Sequence, residues 1–506
     1  MLYYVCYIIL KENVFTKYIW REKMKKLLLL LAILSSGVYA SSIDHIQTYS
    51  PDYLSNQAQT GMIDSVSPFY NPAGTARFEK GKYFHVGIQW AHGHEKMSYK
   101  EKEHKAILNQ LIPNITLTST DDNGAYFFDF GGLAGGGKLN YDGVSGVDVL
   151  TDLAQFKPLG IYDKGSSLTG ENMYEQATLG RAFSVNDKLS FSIAGRVVHG
   201  SRKLSGNLNI GVNPSTEYKQ AKAQQITQEV SKAVDASTQG KGLSAAQIAA
   251  IKKQKTNEAL TKFQQRVSGL VKDGLVGDID AKREAWGYGF QLGINYKVND
   301  KLNLAARYDS RVKMNFKSKG SEHQLQTTDV LGQTIGLTTF YPQYIIDSKV
   351  RRDLPAILSV GASYKITDNY LVSGTANYYF NRQARMDRVS AFGGLEHGRD
   401  YKDGWEVAFG NEYKLNNKFT LIGSINYART GAKNASFNDT EYALNSVTLG
   451  AGVRYNFDET LAITASVAHF IYEKEEGNFK EKYKVDENQK YHKQITAMGL
   501  SITKKF

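Results

Sequence analysis

Hydrophobic and polar residues alternate with a period of two along many segments of this chain. Over residues 288–298, six apolar side chains fall on one face, while glycine, glutamine, asparagine and lysine fall on the other. The same alternation recurs over residues 301–308 and 447–457. Successive side chains of a β-strand point to opposite faces of the sheet, so each segment is predicted to be a strand with one apolar face. Such strands occur in soluble sandwiches as well as in membrane barrels.

The turns distinguish between these two architectures. Five short connections join the alternating strands in pairs, at residues 185–189, 298–302, 366–370, 415–419 and 457–461. The connections between the pairs are longer, as at residues 319–348, 388–401 and 473–491. Short turns at one end and long loops at the other are typical of outer-membrane barrels. Aromatic residues flank the short turns, as an interfacial girdle requires; they are Tyr296, Tyr364, Tyr370, Tyr413, Phe419, Tyr455 and Phe457.

The strand count predicts an all-β fold, a transmembrane antiparallel β-barrel of about 14 strands that occupies residues 81–506. A first strand is expected near residues 82–99, two weak strands within 124–146, then five pairs, and a last strand at 491–506. The chain ends in alternating apolar residues and Phe506, a pattern that resembles the signal read by the barrel-assembly machinery. We therefore expect that machinery and outer-membrane lipid among the partners of the protein.

One long segment of the chain does not alternate. Residues 213–282 are rich in lysine, glutamine and alanine, and Ser244 with Gln247 forms the capping box that begins a helix. Apolar residues then recur every three to four positions and form one stripe; they are Ile248, Ile251, Ala259, Phe263, Val267 and Leu270. The pattern predicts an amphipathic helical insertion between two barrel strands, on the external side.

The first 40 residues are predicted to be absent from the mature barrel. Met24, Lys25 and Lys26 precede an apolar run at 27–34 and small residues up to Ala40, which is the pattern of a secretory signal peptide. The run is far shorter than the roughly 20 residues of a membrane-spanning helix. We predict a signal peptide at 24–40 with cleavage after Ala40, a non-native upstream extension at 1–23, and a location in the cell outer membrane.

Composition excludes several classes of protein. Aromatic residues make up 12% of the chain and charged residues 22%, which argues against a disordered chain. The first 40 residues hold +4 of the net charge of +12, so the remainder is mildly basic and gives no sign of a nucleic-acid partner. The single cysteine, Cys6, precedes the predicted cleavage site. No catalytic triad and no convincing metal-ligand set is present, so neither an enzyme nor a cofactor is predicted.

A motif just ahead of the first strand resembles a known family. Residues 69–74 read Phe-Tyr-Asn-Pro-Ala-Gly, a sequence that resembles the hallmark of FadL-type outer-membrane transporters of long-chain fatty acids and hydrocarbons. Residues 286–316 and the pair Leu354-Pro355 look like the middle of that family in order and spacing. The resemblance implies an N-terminal hatch at 41–80 that closes the barrel and gates at Asn71, Pro72, Ala73 and Gly74. It also implies an external hydrophobic groove shaped by the loops 208–282 and 318–348.

Three groups of site residues follow from these patterns. The groove is expected at Ile248, Ile251, Phe263, Val267, Leu270, Phe340, Tyr341 and Ile345, although the helical stripe is equally suited to packing the loop together. Alternation on the fifth strand points Arg196 and Arg202 into the lumen, where they could bind a carboxylate or pair with acidic residues of the wall or hatch. The family's lateral exit at a kinked third strand would correspond to Gly135, Gly136 and Gly137, which an ordinary external loop could also contain.

The primary functional interpretation is an outer-membrane channel for passive uptake of hydrophobic compounds, long-chain fatty acids above all. Two alternatives are an adhesive or structural barrel, whose helical insertion binds a partner, and a general porin. A plug inside the lumen argues against the porin because it would block ions.

Overall fold

In a computed structural model of the chain, the described residues are 47, 49–143, 145–154, 156–319, 347–390, 394–396, 401–437 and 442–506. The predicted signal peptide, the upstream extension and the groove residues Phe340, Tyr341 and Ile345 lie outside them. Fourteen long strands form one sheet. Their bounds are β1 Lys82–Tyr99, β2 Lys102–Asp121, β3 Gly124–Tyr141, β4 Ser167–Ser184, β5 Leu189–Val212, β6 Leu275–Lys297, β7 Leu302–Asp309 with Asn315–Lys319, β8 Lys349–Arg351 with Ile357–Lys365, β9 Tyr370–Tyr379, β10 Gly404–Lys414, β11 Phe419–Arg429, β12 Ser446–Asn456, β13 Leu461–Tyr472 and β14 Lys490–Lys505.

The sheet is a closed antiparallel barrel. Each strand pairs with its neighbours in sequence, and β1 also pairs with β14, from Tyr83 opposite Lys505 to Ser98 opposite Lys490. Closure leaves neither the first nor the last strand with a free edge, which is the condition for a β-structure to cross a lipid bilayer. The outer face is apolar, with Tyr288 65% and Trp286 58% exposed on β6. The predicted 14-stranded outer-membrane barrel is confirmed.

The position of the second strand was predicted wrongly. Residues 102–121 form β2, and residues 124–141 form the single strand β3 in place of two weak strands within 124–146. The outer half of β2 is rich in charged residues and β3 is interrupted by glycines, so neither shows a clean apolar face. The loop between β1 and β2 is only two residues long, although it lies at the end with the long loops.

Six α-helices occur in the described part of the chain, and they connect or fill the barrel. They are α1 Pro51–Ser55, α2 Ser67–Tyr70, α3 Ser145–Asp148, α4 Thr216–Thr238, α5 Ala245–Asp273 and α6 Phe479–Tyr483. Because β5 extends to Val212 and β6 begins at Leu275, the helical loop covers 213–274, a shorter span than the predicted 208–282. None of the described helices has both the length and the apolar composition of a membrane-spanning helix.

The N-terminal segment at residues 49–77 lies inside the barrel, and we call it the hatch. It contains α1, α2 and a 3₁₀ helix at Pro72–Arg77, and nearly all of its residues are buried. Ser50 caps α1 by accepting a hydrogen bond from the Tyr53 amide. Glycines of the inner wall leave room for it: a Cβ at Gly499 would lie 2.7 Å from Pro51 Cβ. The hatch thus fills the lumen in direct contact with the wall.

At Gly61 the backbone of the hatch lies directly against the backbone of the wall, and replacing Gly61 with alanine is expected to loosen the hatch. A Cβ at this position would lie 2.6 Å from Ala362 Cα in β8, where only backbone could move aside. Overpacking of this kind costs about 1–3 kcal/mol. We expect faster amide hydrogen exchange over residues 49–77. Gly374→Ala on β9 is the matched control because its Cβ would meet nothing closer than 4.0 Å. Equal exchange in the two variants would contradict the prediction.

Candidate lumen site and hatch

The hatch motif at residues 71–74 is tied to the barrel wall by Asn71. Its side-chain amide donates to the Met62 carbonyl (2.9 Å) and to Asn295 Oδ1 on β6 (2.8 Å), and its Oδ1 accepts from the Gly74 amide (3.1 Å). Asn303 on β7 continues the chain of hydrogen bonds to the Gly61 carbonyl (3.0 Å). Asn71 therefore uses every polar atom of its side chain, which explains why asparagine stands at this position.

The remaining residues of the motif also contact the wall or close the turn. Ser190 Oγ on β5 donates to the Ala73 carbonyl (2.8 Å), and Thr75 Oγ1 donates to the Pro72 carbonyl (2.6 Å). Pro72 is the first residue of the 3₁₀ helix, where its fixed torsion and missing amide are well tolerated. The structure therefore brings Asn71, Pro72, Ala73 and Gly74 together at the wall formed by β5, β6 and β7.

Above this motif, four aromatic residues of the hatch form a stacked cluster. Tyr49 stacks on Phe69 with ring centroids 5.0 Å apart, and Tyr53 stacks on Tyr70 at 5.5 Å. Burial raises the pKa of the Tyr53 and Tyr70 phenols well above the usual value, so these rings remain uncharged. Apolar wall residues continue the cluster; they include Leu133, Val198, Val312, Met314, Phe316, Leu354, Ile357 and Tyr379. The lumen thus has an apolar patch around this aromatic cluster.

The cluster is anchored by one buried cation, Arg307 of β7. Its guanidinium donates to the Phe69 carbonyl, to Gln47 Oε1 and to Ser359 Oγ (3.2 Å). The same group pairs with Asp309, with Nε 3.0 Å from Oδ2. Arg307 therefore connects the hatch backbone to the barrel wall through charge-assisted hydrogen bonds.

The two arginines predicted to face the lumen do face it, and both are buried. Arg196 Nη2 donates to Gln176 Oε1 (2.7 Å), and its Nη1 lies 3.5 Å from Asp309 Oδ1. Arg196 thus pairs with a carboxylate of the wall in this structure, which is one of the two roles considered from the sequence. Arg202 lies six residues farther along β5, toward the external end.

The glycine-rich part of β3 coincides with an interruption in the barrel wall. β2 and β3 pair from Asn114 opposite Gly131 down to the short turn, and again at Ala106 opposite Tyr141. Between these two points the described residues of the two strands form no pairs. The pairing of β3 with β4 shifts register twice, between Gly132 and Ala134 and between Ala134 and Gly137. Gly135 and Gly137 have φ angles of 116° and 82°, a region that favours glycine. We call this interruption the β2–β3 gap.

Apolar groups border the β2–β3 gap on both sides of the wall. Leu108 and Leu139 are buried in an interior cluster, while Ile107 and Leu111 are exposed on the outer face. A Cβ at Gly131 would lie 3.5 Å from Phe69 Cζ, so the hatch cluster reaches the edge of the gap. Gly135, Gly136 and Gly137 belong to this strand, so the plain external loop considered from the sequence is not observed.

The predicted helical insertion is a hairpin of α4 and α5. The capping box of Ser244 and Gln247 that begins α5 is confirmed. Val267 and Leu270 are buried, whereas Ile248, Ile251 and Phe263 are half-buried along the same face. Leu270 joins an external apolar cluster with residues of the β3–β4 loop such as Leu150 and Leu159. Part of the stripe therefore packs the hairpin onto the barrel, and part remains accessible.

Sequence reasoning assigned no role to Arg307 or Asp309. Alternation had placed Arg307 on the polar face of its strand, which is the signal that could have singled it out. Its partners, Phe69 of the hatch and Gln47 just before it, are more than 230 residues away in the chain, so no local pattern shows the contact. Among the described residues, no group of three or more histidine, cysteine, aspartate or glutamate side chains is arranged to hold a metal ion.

A closed 14-stranded barrel with an apolar outer face and a plug in its lumen defines an outer-membrane channel protein. Residues 54–506 match the family described as outer membrane protein transport protein (OMPP1/FadL/TodX). The chain belongs to this family, which is a family of transport proteins and not of enzymes. The family resemblance and the outer-membrane location inferred from the sequence are thereby confirmed.

Individual relatives are distant. The chain is 25% identical over 194 residues to the 47 kDa outer membrane protein of Pasteurella multocida, a match covering 37% of this chain and 44% of that protein. It is 23% identical over 197 residues to outer membrane protein P1 of Haemophilus influenzae, covering 37% and 38%. The matches therefore span less than half the length of these relatives.

Two solved structures share the fold over their whole length. The P. putida toluene transporter TodX has a TM-score of 0.56 at 17% identity, with 91% of this chain and 99% of that chain covered. A Pseudomonas aeruginosa FadL homologue has a TM-score of 0.59 at 14% identity, with coverage of 93% and 100%. At these identities the likeness shows the fold alone.

Proposed function

We propose that this protein is a channel for passive uptake of hydrophobic compounds, with long-chain fatty acids as the principal substrate. The observation that carries the proposal is the contact between the aromatic hatch cluster and the β2–β3 gap. Phe69 lies beside Gly131 at the point where pairing of β2 and β3 stops. A compound that reached the apolar lumen would therefore meet an apolar-lined interruption in the wall as soon as the hatch shifted.

The proposed route has three stages. The accessible part of the α5 stripe, with Ile248, Ile251 and Phe263, captures the compound at the external face. Movement of the hatch at Asn71–Gly74 opens the lumen, and the compound leaves sideways through the β2–β3 gap at Gly135–Gly137. Each methylene group buried on the way contributes about 0.8 kcal/mol, so a long acyl chain gains more from this surface than a small molecule does.

A fatty-acid head group would be held by Arg196 and Arg202. Both side chains are buried on the lumen face of β5. At Arg196 the ligand carboxylate would have to replace Asp309 or Gln176 as the partner of the guanidinium. Arg202 lies nearer the external end, so an incoming head group would meet it first.

Ligand binding and conductance measured on the purified protein test this function. We expect saturable binding of a long-chain fatty acid, weaker binding of its methyl ester because the ester lacks the charge, and little steady single-channel conductance. Phe263→Ser is expected to lower the affinity severalfold, while Val271→Ser, an exposed residue of α5, serves as the control. Large steady conductance would instead indicate a porin, and the absence of both binding and conductance would indicate an adhesive barrel. Tight binding of a monoaromatic hydrocarbon without fatty-acid binding would reject the proposed substrate but retain the channel.

A further inference from the structure

The outer surface of the barrel has rows of lysines at the external ends of β5 to β8. Lys203 on β5 stands opposite Lys282 on β6, and Lys282 stands opposite Lys319 on β7. In the neighbouring row, Lys317 on β7 stands opposite Lys349 on β8. Directly opposite residues in antiparallel strands have Cβ atoms about 4.5–5.5 Å apart, and like charges in such positions destabilise the pair.

Carboxylates neutralise only part of this charge. Lys203 pairs with Glu171 (3.2 Å), Lys282 and Lys319 share the single carboxylate of Glu284, and Lys317 pairs with Asp347 (2.8 Å). With the exposed Lys313 and Lys349, the described part of this surface has six lysines to four carboxylates, since the exposed Asp280 adjoins Lys282 on the outward face of β6. We call it the lysine surface; it comprises Lys203, Lys282, Lys313, Lys317, Lys319 and Lys349. The excess positive charge would be neutralised by binding an external anion.

The height of the lysine surface on the barrel identifies the kind of anion. On the outward face of β6, the apolar residues Phe290, Leu292 and Ile294 are followed by Tyr288 and Trp286, then Glu284 and Lys282. Lys282 is four residues beyond Trp286, which is about 13 Å along the strand. The lysines therefore begin just outside the aromatic girdle that marks the membrane boundary. Lys282 reaches back toward the girdle to pair with Glu284, which places its ammonium group nearer the depth of lipid head groups.

We propose that the lysine surface binds the phosphate groups of an anionic lipid in the outer leaflet, whose acyl chains lie against the apolar wall of β6 and β7. A lipid satisfies both surfaces at once, since its chains cover the exposed aromatic and aliphatic residues while its phosphates lie between opposing lysines. The inference rests on the position of the barrel in the membrane and is independent of the compound transported.

Native mass spectrometry of the purified protein in neutral detergent tests the proposal. The probes are diphosphorylated lipid A and the same lipid with its phosphates removed. The unsubstituted protein is expected to bind the phosphorylated form more tightly. Lys203→Gln/Lys282→Gln/Lys319→Gln is expected to weaken this binding by more than about tenfold, because each lysine beside an anionic lipid contributes roughly fivefold. The control Lys188→Gln/Lys301→Gln/Lys418→Gln removes three lysines from the short turns at the opposite end and is expected to bind normally.

Three results would overturn the proposal: equal affinity of the two triple variants, equal binding of the two lipids, and displacement of the lipid by inorganic phosphate alone. The last would mean that the surface recognises free phosphate without need of the lipid. Heat-dependent gel mobility confirms that each variant forms a barrel. If the first triple variant does not fold, Lys317→Gln/Lys349→Gln is judged by the same comparison of affinities.

Discussion

Replacing Arg307 with methionine is expected to release the hatch and produce a leaky channel. The buried guanidinium is hydrogen-bonded to the Phe69 carbonyl and to Gln47 of the N-terminal segment, and it pairs with Asp309 of the wall. Removing one partner of a buried ion pair costs about 3–5 kcal/mol, because the remaining charge is left uncompensated. Single-channel recording should show larger and more frequent openings, and hydrogen exchange over residues 49–77 should accelerate.

Arg196→Met is the matched control for this experiment. Arg196 is also a buried lumen arginine that pairs with Asp309, but its hydrogen bonds run to Gln176 of the wall and not to the hatch backbone. We expect this variant to lose some barrel stability while the hatch stays in place and conductance stays low. Equal leakage in the two variants would show that Asp309, and not the arginine contact with Phe69, determines the position of the hatch.

A disulfide across the β2–β3 gap is expected to block uptake reversibly. A Cβ at Gly132 would lie 2.8 Å from Ile112 Cγ2, so Ile112→Cys/Gly132→Cys places two sulfur atoms within bonding reach. The only native cysteine is Cys6, which precedes the predicted signal-peptide cleavage site. Oxidation should lower the rate of uptake of the hydrophobic compound by more than about tenfold, because the disulfide would hold the proposed lateral exit closed. Reduction should restore the rate.

The control cross-link joins the same strands where they are already paired. Ser119 stands opposite Tyr126 near the short turn, so Ser119→Cys/Tyr126→Cys constrains β2 and β3 without spanning the gap. Uptake should not depend on its oxidation state. Unchanged uptake in the oxidised Ile112→Cys/Gly132→Cys variant would reject the lateral exit, although binding in the lumen could still be measured.

The alternation of apolar and polar residues predicted most of the barrel strands. The side chains that face lipid must be apolar, and this requirement does not depend on contacts with distant parts of the chain. The prediction failed on β2 and β3. The outer half of β2 has exposed lysines and glutamates beyond the membrane, and β3 is interrupted by Gly135, Gly136 and Gly137, so neither strand reads as regular alternation. The irregular sequence pattern thus occurs in the two strands whose pairing is interrupted.

Less of the lumen site could be predicted from the sequence. The Asn71–Gly74 motif stood out through its composition, and the inward direction of Arg196 followed from strand periodicity. Their partners did not, because Asn71 bonds Asn295 and Arg307 bonds Phe69 across more than 200 residues of chain. Phe263 is half-buried because of the way α5 packs against α4. The apolar stripe of α5 alone does not predict that packing.

The seam between the first and last strands makes barrel closure and hatch attachment depend on the same strand. Lys82 and Phe506 exchange both backbone hydrogen bonds at the seam between the first and last strands. Ser501 and Thr503 of the last strand also bond Asp52 and Ser65 of the hatch. β14 both closes the barrel and contacts the hatch. A chain truncated before β14 would therefore leave an open sheet and would also remove two hydrogen-bond partners of the hatch.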